Sequence, residues 1–353
     1  MNLRVTQLGL AIAIFAGSLS PILVAQGGRA GQPATPQAAA PQAPAEPTVP
    51  IVGIAQVTFK TADLAKSRAY YTGVLGLPEA FTLKDGAGVT SAYFKVNDDQ
   101  FIEITPTLKP GELIRQERVV FESSDLEKLR AIYAERGLNP TPIAKGLDGN
   151  PVFRVKDTEG NNLDFLQYVA GSKQAQARGK MLDAGRVTTH IWHVGIMQKD
   201  RTISSAFYRD KIGLGNGKDA GRGEYVELPS SDRNLETKDP PLDPNDAATK
   251  DQYTRELYGA VYHMGLEVKD ARVARDLAQK RGKFSDVRVR ATVGNNRHWL
   301  IHLFDPDGTR SELMETPVQP AEILSGSIMA KNPGDPPIPP GAGRGRGPAP
   351  SLR

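Results

Sequence analysis

The chain has five histidines, His190, His193, His263, His298 and His302, and all five lie in its second half. Imidazole titrates near neutrality and, when neutral, is the commonest metal ligand, so residues 190–302 are where acid–base or metal chemistry is to be sought. Cysteine is absent. That removes disulfide scaffolds, thiolate zinc sites, cysteine nucleophiles and a lipid-modified N-terminal cysteine. Any metal must therefore be held by nitrogen and oxygen. On a strand, His190 and His193 are an odd number of residues apart, so strict alternation turns them to opposite faces, whereas His298 and His302 share one. Gly215, Gly217, Gly221 and Gly223 do not follow a strand and open a helix, so they read as loop glycines and imply no dinucleotide site. Ser230-Ser231-Asp232 lacks a histidine at a defined spacing and reads as a turn.

The elements that must position these residues come from an internal repeat. Asp63, Ser67, Ala69, Tyr71, Gly76 and Leu77 recur as Asp200, Ser204, Ala206, Tyr208, Gly213 and Leu214, all at an offset of 137. Later in each copy, Phe101-Ile102-Glu103-Ile104 answers Tyr225-Val226-Glu227-Leu228, and Asp157-Thr158-Glu159-Gly160 answers Asp305-Pro306-Asp307-Gly308. Ile54 to Phe59 reads as a strand, and Ala62 to Thr72 as a helix behind Asp63. Val119-Val120-Phe121 leads into a second helix at Asp125, and Met264 to Val268 into one at Asp270. The DTEG and DPDG tetrapeptides are turns joining the last strands of each copy. Each copy is then two βαβββ modules, an α+β fold.

Four such modules, with these ligand types, resemble the vicinal oxygen chelate superfamily. It includes glyoxalase I, methylmalonyl-CoA epimerase, type I extradiol dioxygenases and bleomycin or fosfomycin resistance proteins. The resemblance implies tandem domains, at 51–170 and 188–318 with a linker at 171–187, each a cupped, incompletely closed eight-stranded sheet with flanking helices. Its ligand positions, on the first, fourth, fifth and eighth strands, carry over to His193, Glu227, His263 and Glu312. Two neutral imidazoles with one or two carboxylates suit a divalent ion such as Fe2+, Mn2+, Ni2+, Co2+ or Zn2+. In the first domain the same positions are Gln56, Glu103, Arg118 and Asp164. There Arg118 puts a permanent positive charge where the cation would sit, and it is expected to pair with Glu103 or Asp164.

Three functions follow from the resemblance, of which the glyoxalase-like one leads, because the full His-Glu-His-Glu set matches it best, with the other two as alternatives. A glyoxalase-like lyase or isomerase would use the metal as a Lewis acid, with Glu227 or Glu312 moving a proton beside a carbonyl and stabilisation of an enediolate. An extradiol-type Fe(II) dioxygenase would use His193, His263 and Glu312. The layout of two tandem domains favours it, but its pattern has a tyrosine ten residues before the glutamate, where this chain has His302. His302 and His298 are the further acid–base candidates. A protein of the bleomycin-resistance kind would bind a small molecule without turning it over. Residues 232–258, rich in Asp, Lys and Pro, read as an insertion after the fourth strand. They form either a lid over the cup, with Tyr253 and Tyr258 lining it, or a plain surface excursion.

The ends supply the basicity. The net charge of +4 divides into +1 for residues 1–50, +3 for 326–353 and about zero between, so no basic face for nucleic acid is implied. Met1 to Ala25, with Arg4 ahead of the apolar run Leu8–Ala16, reads as a signal peptide for export to the periplasm or outside the cell, leaving no membrane span after cleavage. Residues 26–50 and 326–353, which hold most of the prolines outside the repeat, are expected to be disordered. The expected partner is a small-molecule substrate, bound by a monomer or homodimer.

Overall fold

The computed structural model describes residues 49–215, 218–219, 223–228, 234–238, 255–284 and 289–342. The first module is β1 (Ile51–Lys60), α1 (Leu64–Arg68) continued by a π-helical segment Ala69–Val74, β2 (Glu79–Asp85), β3 (Gly88–Lys95) and β4 (Phe101–Thr105). The second is β5 (Gln116–Ser123), α2 (Leu126–Glu135), β6 (Ala144–Lys145), β7 (Pro151–Lys156) and β8 (Asn162–Leu166). After α3 (Lys173–Ala177), the third is β9 (His190–Met197), α4 (Arg201–Ala206) with its own π-helical continuation Phe207–Ile212, β10 (Lys218–Asp219), β11 (Gly223–Glu227) and β12 (Asn234–Lys238). Helix α5 (Arg255–Val261) leads to the fourth: β13 (His263–Val268), α6 (Ala271–Gly282), β14 (Thr292–Val293), β15 (Trp299–Phe304) and β16 (Arg310–Glu315). The first helix of every module is capped by an aspartate, Asp63, Asp125, Asp200 or Asp270, whose carboxylate accepts from first-turn backbone N–H groups.

The strands form two eight-stranded sheets of the same order, β2-β3-β4-β1-β5-β8-β7-β6 and β10-β11-β12-β9-β13-β16-β15-β14. In each sheet the first and fifth strands pair antiparallel at the centre, flanked in parallel by the fourth and eighth. The strands named by the resemblance as ligand carriers are thus the four central ones. The opposite face of each sheet packs on the helices in one continuous apolar core.

The two domains clasp each other by matching contacts. Tyr71 Oη donates to Asp305 Oδ2 at 3.2 Å, and Tyr208 Oη to Asp157 Oδ2 at 2.7 Å. The amide of Ala62 reaches Asp307 at 3.3 Å, and that of Lys199 reaches Glu159 at 2.9 Å. Each domain's first helix region therefore holds the other domain's DTEG or DPDG turn, where Gly160 and Gly308 take left-handed φ of 86° and 84°. Burial, with Asp307 nearby, pushes Asp305 up to about 6, against the opposing hydrogen bond from the Thr309 amide. An unfolded aspartate releases its proton near pH ~3.9. The native chain thus keeps a proton between about pH 4 and 6 that the unfolded chain has lost, and this group's contribution is full below that window and lost as pH rises through it. Asp305→Asn keeps an acceptor for the Asp307 and Thr309 amides. It is expected to gain on the native chain by roughly 2 kcal/mol between pH 4 and 7. Urea unfolding at both pH values tests this, and parallel pH profiles for the two chains would refute it.

Two expectations are corrected here. Residues 326–342, expected to be disordered, pair with the second domain: the Val293 amide donates to the Ser327 carbonyl at 2.9 Å, the Met329 amide donates to the Ala291 carbonyl at 3.0 Å, and Ile328 pairs with Ile338. The edge of β14 offers unpaired backbone groups, and the tail supplies partners for them. The stretch 232–258 is not one insertion, because Asn234–Lys238 forms β12 itself. Tyr258 lies on α5 and stacks on Tyr262 with ring centroids 6.4 Å apart. Tyr253, Ser230-Ser231-Asp232, Gly217 and Gly221, the signal at 1–25, nearly all of 26–50, and 343–353 lie outside the described residues.

Candidate metal centre

Strand register builds the site. Tyr225, Glu236, Gly195 and His263 stand opposite one another on β11, β12, β9 and β13. The neighbouring row runs Glu227, Asn234, His193, Gly265, Glu312 and His302 across to β15. Each histidine therefore faces a glycine on the other central strand. A Cβ on Gly265 would lie 2.0 Å from His193 Cε1, and one on Gly195 2.1 Å from His263 Nδ1. The missing side chains are the space into which the two rings turn.

There the two Nε2 atoms approach to 3.0 Å. His263 Nδ1 lies 2.8 Å from the Val261 carbonyl, which fixes Nδ1–H as donor and leaves the Nε2 lone pair facing inward. Both rings are fully buried. Burial holds His193 below its ordinary value and pushes His263 down to about 3, so both are neutral imidazoles. Glu236 Oε2 lies 3.2 Å from His263 Nε2 and 3.6 Å from His193 Nε2, and Glu312 Oε1 lies 3.6 Å from His193 Nε2.

The other oxygen of each carboxylate faces a cation or a histidine. Lys238 Nζ is 2.9 Å from Glu236 Oε1, while His302 Nε2 and Arg310 Nη2 are 3.0 and 3.3 Å from Glu312 Oε2. Burial alone would raise both carboxylates. The His263, His193 and Lys238 neighbours hold Glu236 well below the usual range, and Arg310 and His302 do the same for Glu312.

These residues fit a divalent ion. Two nitrogens each about 2.1 Å from one ion and at right angles to each other lie about 3.0 Å apart, the separation found here. Among the described residues no hydrogen-bond donor meets the buried Glu236 Oε2, an arrangement that costs free energy unless a cation meets it. Among the described residues, His193, Glu236 and His263 are the group whose donor atoms converge for a metal, with Glu312 against His193.

Of the residues read from sequence, the structure brings together His193, His263, Glu312 and His302. Glu227 is displaced: it stands on β11, two strands from His193, and Glu236 on β12 takes the fourth-strand position. The reason is register, since Glu236 pairs with Gly195 as Glu103 pairs with Thr58 in the first domain. His298 sits apart from the four donors, its Nδ1 3.0 Å from the Glu315 carbonyl and its ring 6.1 Å from Trp192. Strict alternation also fails on β9. His193 faces Gly265 and Ile191 faces Leu266, so Trp192 is the extra residue of a bulge. The bulge returns His190 to the His193 face, where its Nδ1 lies 2.7 Å from Glu267 Oε2, and brings Trp192 within 5.5 Å of the His193 ring.

The first domain fills the same space with side chains. Thr58 and Val120 occupy the places of Gly195 and Gly265. Arg118 Nη2 meets Glu103 at 2.5 Å, and Nε lies 3.5 Å from Asp164. Gln56 and Thr58 donate to Glu103 at 2.6 and 2.7 Å, and Arg154, in the place of His302, pairs with Asp164 at 2.5 Å. The guanidinium stands where a metal's charge would otherwise be.

No protein-family model and no curated protein matches the chain by sequence. Solved structures do match. A mutant of homoprotocatechuate 2,3-dioxygenase from Brevibacterium fuscum is 17% identical at a TM-score of 0.55, over 84% of this chain and 77% of that one. An extradiol ring-cleaving dioxygenase from B. fuscum, at the same identity and TM-score, is covered over 78%. The anaerobic complex of homoprotocatechuate 2,3-dioxygenase with 3,4-dihydroxyphenylacetate is 18% identical at a TM-score of 0.54, with 87% of its chain covered. The chain has the tandem, paired-module fold of these dioxygenases.

Proposed function

We propose that the chain is a divalent-metal-dependent enzyme that takes a small substrate through two neighbouring oxygen atoms, and that it cleaves a dihydroxylated aromatic ring with dioxygen. One observation carries the metal reading: two neutral, buried imidazoles present Nε2 atoms 3.0 Å apart, with a carboxylate oxygen from each side turned on them. Ring cleavage rests on the likeness to the B. fuscum dioxygenases across 84% of the chain. Fe2+ or Mn2+ suits the donor set and would supply Lewis acidity and redox chemistry. His193 and His263 are held as neutral donors, and Lys238 and Arg310 keep Glu236 and Glu312 ionised. His302, whose Nε2 lies 3.0 Å from Glu312, would take a proton from a substrate hydroxyl and return it.

Glu236 favours a second reading. Four protein donors leave two positions of an octahedron, which suits a glyoxalase-like lyase or isomerase moving a proton beside a carbonyl better than it suits binding both substrate and dioxygen. Elemental analysis of anaerobically prepared protein, with His193→Ala and His263→Ala beside it, comes first. About one ion per native chain and its loss in both variants is expected, and retention in both would remove the reading. Oxygen uptake with catechols then supports cleavage. Proton exchange beside a carbonyl without oxygen uptake supports the second reading, and binding without turnover leaves a sequestering protein. The segment Met1–Ala25 supports export of the enzyme, which N-terminal sequencing of mature protein from the native host would test by finding a start after Ala25.

A further inference from the structure

Two side-chain amides of the first domain grip the strand that carries His193. Gln100, just ahead of β4, is fully buried. Its Oε1 accepts from the Ile191 amide at 2.8 Å, and its Nε2 donates to the Ile191 carbonyl at 3.0 Å and to the Ile54 carbonyl at 3.1 Å. Gln116, on β5 and also buried, donates to the Gly195 carbonyl at 3.1 Å. The two contacts fall on either side of His193, where the ladders around β9 are interrupted. The pairing with β12 begins at Asn234 opposite His193, and the Trp192 bulge shifts the pairing with β13 between Gly265 and Leu266. Gln100 thus serves Ile191 as a one-residue strand partner, taking its N–H and its C=O together. Gln116 holds the backbone of the glycine over which the His263 ring lies.

Symmetry separates the Gln116 contact from the clasp. The tyrosine–aspartate bonds of the clasp occur once in each direction and belong to the pairing of two like domains. Arg118 stands opposite Thr58 as His263 stands opposite Gly195, so the second-domain residue in the place of Gln116 is Val261. Its side chain has no donor. This grip therefore runs from the domain without ligands to the strand that bears one, and it accompanies the histidines.

We propose that Gln100 and Gln116 are positioning residues of the metal centre, so that the first domain, having lost its own ligands, sets the geometry of the site in the second. This rests on the metal-dependent reading above. The test uses the full chain with Co(II) alone under anaerobic conditions, reading affinity and visible spectrum beside urea unfolding of the metal-free chains. Gln100→Met and Gln116→Met keep the length of the side chain and remove the amide. Each should weaken Co(II) binding by about tenfold or more, as loss of an outer partner of a metal ligand does, and should move the visible bands at saturating metal. Tyr133→Phe is the control. It deletes another buried bond across the domain boundary, from Tyr133 Oη on α2 to the Ile212 carbonyl at 3.0 Å, that does not touch β9. It should lower the stability of the metal-free chain while leaving the bands in place and Co(II) affinity within about threefold. Glutamine variants with native bands overturn the proposal. So does a loss of affinity no larger than that of Tyr133→Phe, which would make the amides general contacts between domains. Should a methionine variant fail to fold, Gln100→Asn and Gln116→Asn, which withdraw the amide by one methylene, decide by the same two readings. A native chain that takes up no Co(II) removes the metal-dependent reading, and the proposal with it.

Discussion

Replacing Gly265 with alanine is expected to abolish stoichiometric metal binding while leaving the chain folded. The added Cβ would fall 2.0 Å from His193 Cε1 and 2.5 Å from its Nε2, far inside van der Waals contact, so the ring must leave its place. Gly195→Ala does the same to His263, whose Nδ1 would lie 2.1 Å away and whose anchoring carbonyl, Val261 O, 2.6 Å away. Neither glycine has a positive φ, so alanine suits the strand backbone, and the overpacking costs about 1–3 kcal/mol. Losing one imidazole from the set should weaken metal binding by a hundredfold or more, on the order of 3 kcal/mol. Metal content after dialysis, read beside thermal unfolding of the metal-free chains, separates the two effects. An alanine variant that holds metal as the native chain does would show that the rings do not need this space.

Glu236→Gln should likewise lower metal affinity by about a hundredfold, whereas Glu227→Gln should change it by less than about threefold. Gln keeps the size of the side chain but removes the charge that Oε2 presents 3.2 Å from His263 Nε2. It also leaves Lys238 facing a neutral amide where it had a carboxylate at 2.9 Å. Glu227, two strands from His193, is the control on the same face of the sheet. Competition against a metal-sensitive chelator gives both numbers, and the reverse order of effects would return the fourth-strand position to Glu227.

The contrast between these two glutamates shows where sequence reading stopped. Tyr225-Val226-Glu227-Leu228 matches the apolar pattern of Phe101-Ile102-Glu103-Ile104 better than Asn234-Leu235-Glu236-Thr237 does, because Asn234 and Thr237 stand where Phe101 and Ile104 do. A different signal was present. Tyr93 stands opposite Glu103, and Tyr225 opposite Glu236, a cross-strand pair whose repetition aligns the third and fourth strands of both domains. The His-x-Gly spacing at His193–Gly195 and His263–Gly265 was also in plain view. Its meaning, a ring folded over the opposite glycine, appears only when the two central strands are antiparallel and in this register. The bulge at Trp192 left no mark in the hydrophobic pattern, so strict alternation turned His190 the wrong way.

By itself, the sequence determined the duplication, the βαβββ order, the loss of ligands from the first copy and the choice of nitrogen and oxygen donors. These depend on residue identity and local periodicity, which the chain carries along its length. Tertiary structure decided which glutamate meets the histidines, that Arg118 is held by Glu103 and Asp164, and that Arg310 lies buried 3.3 Å from Glu312. Those outcomes depend on strand register, where a shift of one strand or one bulge moves a side chain by several ångströms or to the other face, and no local pattern specifies it.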